Sequence, residues 1–210
     1  MPLMEFVFKD TGKDNGIAIY PMKDEQDLLF AVACLVLRKM NAEVMISPAM
    51  KLVEHVLVQW PFAEINNGKL TVHPDKIRTD EKMVVNAAEY PVAVIGLSVL
   101  FAAAGIEADI TGLESLSTGK ELGQITCLQR LLYRLNINTD YCGGSKFKVY
   151  KNKEMHSEQS LRPTVALFPW LMMIPAVIKT GELRMEMEEN VLEGKMEIMI
   201  AGGIQAKAGY

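Results

Sequence analysis

At 210 residues, half of them hydrophobic and 23% charged, the chain has the composition of a folded protein with ample material for a core. A formal net charge of −4 points away from nucleic acid, which selects basic surfaces. Three widely spaced cysteines, Cys34, Cys127 and Cys142, show neither a metal-type nor a redox-type spacing. A reducing, cytoplasmic location is therefore expected, with Cys34 and Cys127 as small buried thiols in apolar helices.

The start, MPLMEFVFKDTGK, lacks the basic and long apolar regions of a signal peptide. The first strong pattern is DLLFAVACLVLRKMNAEVMI, Asp27 to Ile46. It predicts an apolar helix, a left-handed stop at Asn41 and a short strand over Glu43–Ile46. MKLVEHVLVQW then predicts an amphipathic helix, and FAEINNGKLTVH a hairpin turning at Asn67-Gly68.

The pattern returns in YPVAVIGLSVLFAAAGIEADI, Tyr90 to Ile110, with Gly105 as the stop and Glu107–Ile110 as the strand. KELGQITCLQRLLYRL follows as the amphipathic helix, and NTDYCGGSKFKVY as a hairpin turning at Gly143-Gly144. RPTVALFPWLMMIPAVIKTGELRMEM, Arg162 to Met187, begins a third copy, with a stop at Gly181 and a strand over Leu183–Met187. Its apolar stretch falls short of the roughly 20 residues of a membrane span and contains Pro163, Pro169 and Pro175. It reads as a helix buried in a soluble core, so no membrane is expected. A second helix is expected around MEIMIAGGIQAKAGY, where the third copy breaks off.

Each unit thus reads as β-α-β-α-β-β, twice complete and once truncated, over about residues 16–75, 82–151 and 160–210. The fold class is α/β: a single domain over residues 1–210, pseudo-threefold, with parallel apolar helices buried at its centre.

Four stretches carry a resemblance. GLESLSTGKELGQI resembles a Gly-Leu…Leu…Lys-Glu-(Ser/Thr)-Asp-Arg-Ile signature, and YPVAV a Pro-Asp-x-Ala helix start. SLRPTVALFPWL resembles Asp-His-Arg followed by an apolar helix, and GKMEIMIAGGIQAKAGY a closing lysine segment with a Lys-Ala-Gly-Phe-like end. Signatures and order are those of the enolpyruvyl transferases, the family of EPSP synthase, and the chain is most similar to the C-terminal domain of that family. The resemblance implies a domain of three units around buried helices. It also implies passage of an enolpyruvyl group from phosphoenolpyruvate to a hydroxyl of a phosphorylated acceptor, with no cofactor and no metal.

By the same resemblance Glu121 falls on the catalytic glutamate, while Lys120, Arg162 and Lys195 fall on or beside substrate- and anion-binding cations. Other positions depart from the family pattern. Its helix-start aspartate is Val92 here, the Asp-Arg after Lys-Glu is Gly123-Gln124, and the Asp-His before the arginine is Ser160-Leu161. Where serines would hold the acceptor's phosphate, the chain has KDEQD, and Asp24, Glu25 and Asp27 would occupy the positive helix start themselves.

The matching residues also have simpler readings. Thr118 and Glu121 have the spacing of a capping box. Lys120 and Lys195 suit solvated positions, and Arg162 opens a helix before Pro163, within reach of Glu158 or Glu154. His55, His73 and His156 are isolated, which predicts no zinc site. The reading is a divergent EPSP-synthase-like domain with reduced or lost transfer, acting as a binding or assembly module. The first alternative is half of a two-chain transferase completed by an N-terminal-like partner domain, with a small anionic ligand between them. The second is an unrelated self-associating scaffold.

Overall fold

The helix start marked by KDEQD is formed by Asp24, whose backbone is extended (φ −143°) and whose carboxylate accepts the Asp27 N–H at 2.8 Å. From there α1 runs Glu25–Arg38. Every side chain from Leu28 to Val36 is buried, as a helix that is apolar on all sides requires. The computed structural model describes residues 3–8, 24–39, 42–47, 49–116, 120–134, 136–151, 183–186 and 204–209. The stop expected at Gly181 and the apolar stretch with three prolines lie outside them.

α1 closes at Lys39, which takes the left-handed conformation (φ 54°) and places its N–H on the Leu35 and Val36 carbonyls. The stop expected at Asn41 therefore comes two residues earlier. The reason is spatial: a strand already begins at Ala42, so the chain must reverse before it.

That strand, β2 (Ala42–Met45), joins a hairpin of β3 (Ala63–Asn66) and β4 (Lys69–Val72) in the order β2-β4-β3, with β4 antiparallel to both. Asn67 and Gly68 turn the hairpin with φ of 49° and 73°, the pair of positive angles that Asn-Gly accommodates. The amphipathic segment before it is not the regular α-helix expected. It forms a wide π turn over Leu52–Val56 and a tight 3₁₀ turn over Leu57–Gln59. The apolar stripe survives, since Leu52, Val53, Val56, Leu57 and Trp60 are all buried. Both ends of the segment are tied to other elements, Lys51 and Leu52 to Glu25 and Gln59 to Asn86, and the turns adjust between those ties.

The next part contains β5 (Met83–Asn86), α2 (Val94–Ala104), β6 (Ala108–Thr111), α3 (Lys120–Arg134), β7 (Thr139–Cys142) and β8 (Lys146–Val149). Their sheet has the order β5-β6-β8-β7, with β5 parallel to β6 and the other pairs antiparallel. α2 is buried from Val94 to Ala103 and ends at Gly105 (φ 73°), as expected. Its one hydroxyl, on Ser98, donates to the Val94 carbonyl at 2.6 Å and so avoids an unpaired polar group in the core.

A third sheet joins residues from both ends of the sequence. β1 (Leu3–Phe8) lies between β9 (Leu183–Glu186) and β10 (Ile204–Gly209), antiparallel to each. Two expectations change here. The first fifteen residues belong to none of the expected units, yet they hold the central strand of this sheet. The end of the segment read as a second helix is the strand β10; Ile204, Ala206 and Ala208 alternate with polar residues in the period of two that strands follow.

One buried core runs from Leu28 to Val149. Trp60, at the end of the π/3₁₀ segment, meets Phe101 of α2 with ring centroids 5.6 Å apart. Cys34 is buried as expected, but Cys127 is only part-buried, and the three cysteines are thiols rather than disulfides. Among the described residues no helix is long and apolar enough to cross a membrane.

Candidate functional site

A helix start exposes N–H groups that lack partners within the helix, and together with the helix dipole they form a ready anion site. α1 begins at the rim of a cleft of about 540 Å³ lined by Asp24, Glu25, Gln26, Ser47, Met50 and Tyr90. Carboxylates already occupy donors on both sides of this cleft. Asp24 accepts the Asp27 N–H, and Glu25 reaches across the cleft to a second helical start. Its Oε1 lies 2.6 Å from the Lys51 nitrogen and 3.4 Å from that of Leu52. No cation is among the described residues that line this cleft.

Tyr90 closes the same corner. Burial first, then its hydrogen bond to the Glu25 carboxylate and the charges of Glu25 and Asp24, push its phenol well above the ordinary value. It stays a hydrogen-bond donor throughout the physiological range and is unsuited to accept a proton. The acidic character of KDEQD was legible in sequence. Its targets at Lys51 and Leu52, 26 and 27 residues beyond Glu25, were not, and neither was the role of Tyr90.

Lys120 and Glu121 form the first turn of α3, but their side chains lie outside the described residues, as do Thr118, Arg162 and Lys195. No convergence of these residues is part of the described site. Val92 lies in a 3₁₀ turn over Pro91–Ala93 and is 37% exposed, so an apolar group faces water at this helix start. Gly123 stands exposed on α3, and a Cβ built there would meet nothing within 4 Å. A side chain would fit at this position.

His55 lies beside Glu54 at 3.6 Å, and His73 beside Glu64 at 3.3 Å. Among the described residues no group of three or more His, Cys, Asp or Glu side chains could hold a metal ion. A second polar cluster sits on β6, where Asp109 lies 2.8 Å from Lys82 and 3.6 Å from Lys146. Burial alone would raise the Asp109 pKa. The hydrogen bond and charge of Lys82, helped by Lys146, outweigh that and hold the carboxyl below its ordinary value.

No protein-family model matches the sequence, and neither does any curated protein. Solved structures do match. EPSP synthase from Acinetobacter baumannii aligns over 88% of this chain and 47% of its own, with a TM-score of 0.64 and 15% identity. The fold is that of EPSP synthase. A second structure of EPSP synthase from Acinetobacter baumannii gives the same TM-score over 89% of this chain and 47% of its own. The enolpyruvyl transferase NikO from Streptomyces tendae aligns over 87% of this chain and 44% of its own, with a TM-score of 0.50 and 13% identity. The chain spans about half the length of the solved structures it matches. At such identity the EPSP-synthase fold is shared, while chemistry has to be read from the residues.

Proposed function

We propose that this chain is a single EPSP-synthase-like domain of three related units that no longer transfers an enolpyruvyl group and acts as a binding or assembly module. The observation that carries this reading is the start of α1. Asp24 takes the Asp27 N–H, Glu25 takes those of Lys51 and Leu52 across the cleft, and the charge of both carboxylates repels a phosphate. The acid expected at residue 92 is a valine, and Gly123 and Gln124 replace an aspartate and an anion-binding arginine. Proton transfer and charge neutralisation, the two demands of enolpyruvyl transfer, thus both lose groups.

Calorimetric titration of the full chain with phosphoenolpyruvate and with shikimate 3-phosphate tests this. No heat of binding is expected at millimolar ligand. Saturable binding of either compound would overturn the reading.

The coverage favours one further reading, a two-chain transferase. The chain matches less than half of each solved structure, so a second domain would complete the cleft. In that arrangement Glu121 is the acid/base, and Lys120, Arg162 and Lys195 are the anion-binding groups. The same titration with an N-terminal-like EPSP synthase domain added separates the two. Binding that appears only with both chains present supports the two-chain enzyme.

A further inference from the structure

Among the described residues the outer edge of β5 is the last strand position of a four-stranded sheet, and its backbone is only partly occupied. Met83 and Ala87 donate their N–H groups to the Glu107 and Thr111 carbonyls of the β6 side. Because backbone groups alternate along a strand, those of Val84 and Asn86 point outward. Asn86 is covered in an unusual way. The Gln59 side-chain amide accepts its N–H at 2.9 Å and donates to its carbonyl at 2.8 Å, which reproduces the two bonds of a neighbouring strand. Val84 has no such cover among the described residues, and 63% of it is exposed. Beside it runs a groove of about 210 Å³ lined by Phe62, Ile77, Arg78, Glu81 and Lys82.

We propose that this edge pairs with a second copy of the chain, β5 against β5, antiparallel about a twofold axis through Val84, and that Gln59 gates the length of the ladder. Three features select a second copy as the occupant. In an antiparallel ladder a hydrogen-bonded pair exchanges both bonds between facing residues, so a single free residue is satisfied by its own symmetry mate. The exposed Val84 side chains lie together at that axis and leave water. The groove carries both signs, Arg78 and Lys82 beside Glu81, so two copies meet without a field of one sign.

With Gln59 in place only the Val84 pair can form. When its amide leaves Asn86, Asn86 of each copy is free to pair with Lys82 of the other, and the ladder extends from one pair to three. The surface is distinct from the start of α1: ligand titration judges that site, and association state judges this one.

The test is sedimentation velocity on the full chain over a wide concentration range, comparing wild type, Gln59→Ala, and Gln59→Ala combined with Val84→Pro or with Val84→Lys. Proline removes only the outward N–H, a change an edge strand tolerates, and lysine keeps that N–H while setting like charges across the axis. The expected result is that Gln59→Ala tightens the dimer by at least about tenfold and that both Val84 changes return it to monomer. A Gln59→Ala chain that associates no more tightly than wild type overturns the proposal. So does a dimer that survives both Val84 changes. Monomers in every variant would likewise overturn it and leave the edge to a strand from a different chain.

Discussion

At the scale of single residues, carboxylates set the character of the molecule. Glu25 sits in the first turn of α1 yet ties down the start of a different segment, at Lys51 and Leu52. Removing it frees two backbone donors at a rim that water reaches. Glu25→Ala is expected to lower stability by about 1 kcal/mol, measured by urea denaturation. Asp109 acts through charge, and its effect has a sign. Its folded-state pKa lies below the ordinary aspartate value, so its contribution is complete above about pH 4 and fades as pH falls through the lowered value. Asp109→Asn should therefore destabilise the chain at pH 6, with the gap between variant and wild type closing on the acid side of about pH 4. Unfolding curves at several pH values check this; a gap that stays constant down to pH 2 would contradict it.

At the scale of elements, the two described buried helices are held by packing as well as by their caps. Phe101 is wholly buried in α2 and meets Trp60 from the segment after β2. Phe101→Ala is expected to cost about 3–5 kcal/mol, read from the urea midpoint at unchanged slope. These helices were also the most legible part of the sequence. Runs such as DLLFAVACLVL and VIGLSVLFAAA are apolar on every side, and only complete burial suits them. The hairpins were legible for a local reason, since Asn67-Gly68 and Gly143-Gly144 accept positive φ at little cost. The π/3₁₀ segment was legible only as a stripe, because its departure from α geometry comes from Glu25 and Asn86, far along the chain. For the same reason the Gln59 amide on β5 carried no signal. The acidic start of α1 shows the division most clearly: its charge could be read from five letters, and its partners could not.

At the scale of the whole molecule, the three sheets share one arrangement among their described strands. β4, β8 and β1 each lie between two antiparallel neighbours. The first two belong to local hairpins, whereas β1 meets partners at the other end of the sequence. That separation hid it, although EFVF carries the aromatic and β-branched residues that strands favour. The expectation that follows is topological. Leu3 faces Gly209, so a short Gly/Ser linker can join the ends, and new termini can be opened at the Asn67-Gly68 turn. Such a permutant is expected to keep the wild-type far-ultraviolet circular dichroism and a cooperative melt. Loss of cooperativity would show that the order of β1 in synthesis matters to the fold.

The pairing of β1 with β10 also fixes how the molecule answers a mechanical load. Its six facing pairs begin at Leu3 and Gly209, the described residues nearest the ends, and finish at Phe8 and Ile204. A pull applied between the termini acts along the hydrogen bonds and across the strands, so it meets one pair at a time instead of all six together. The pairing would open like a zipper from Leu3 and Gly209 inward, at low force.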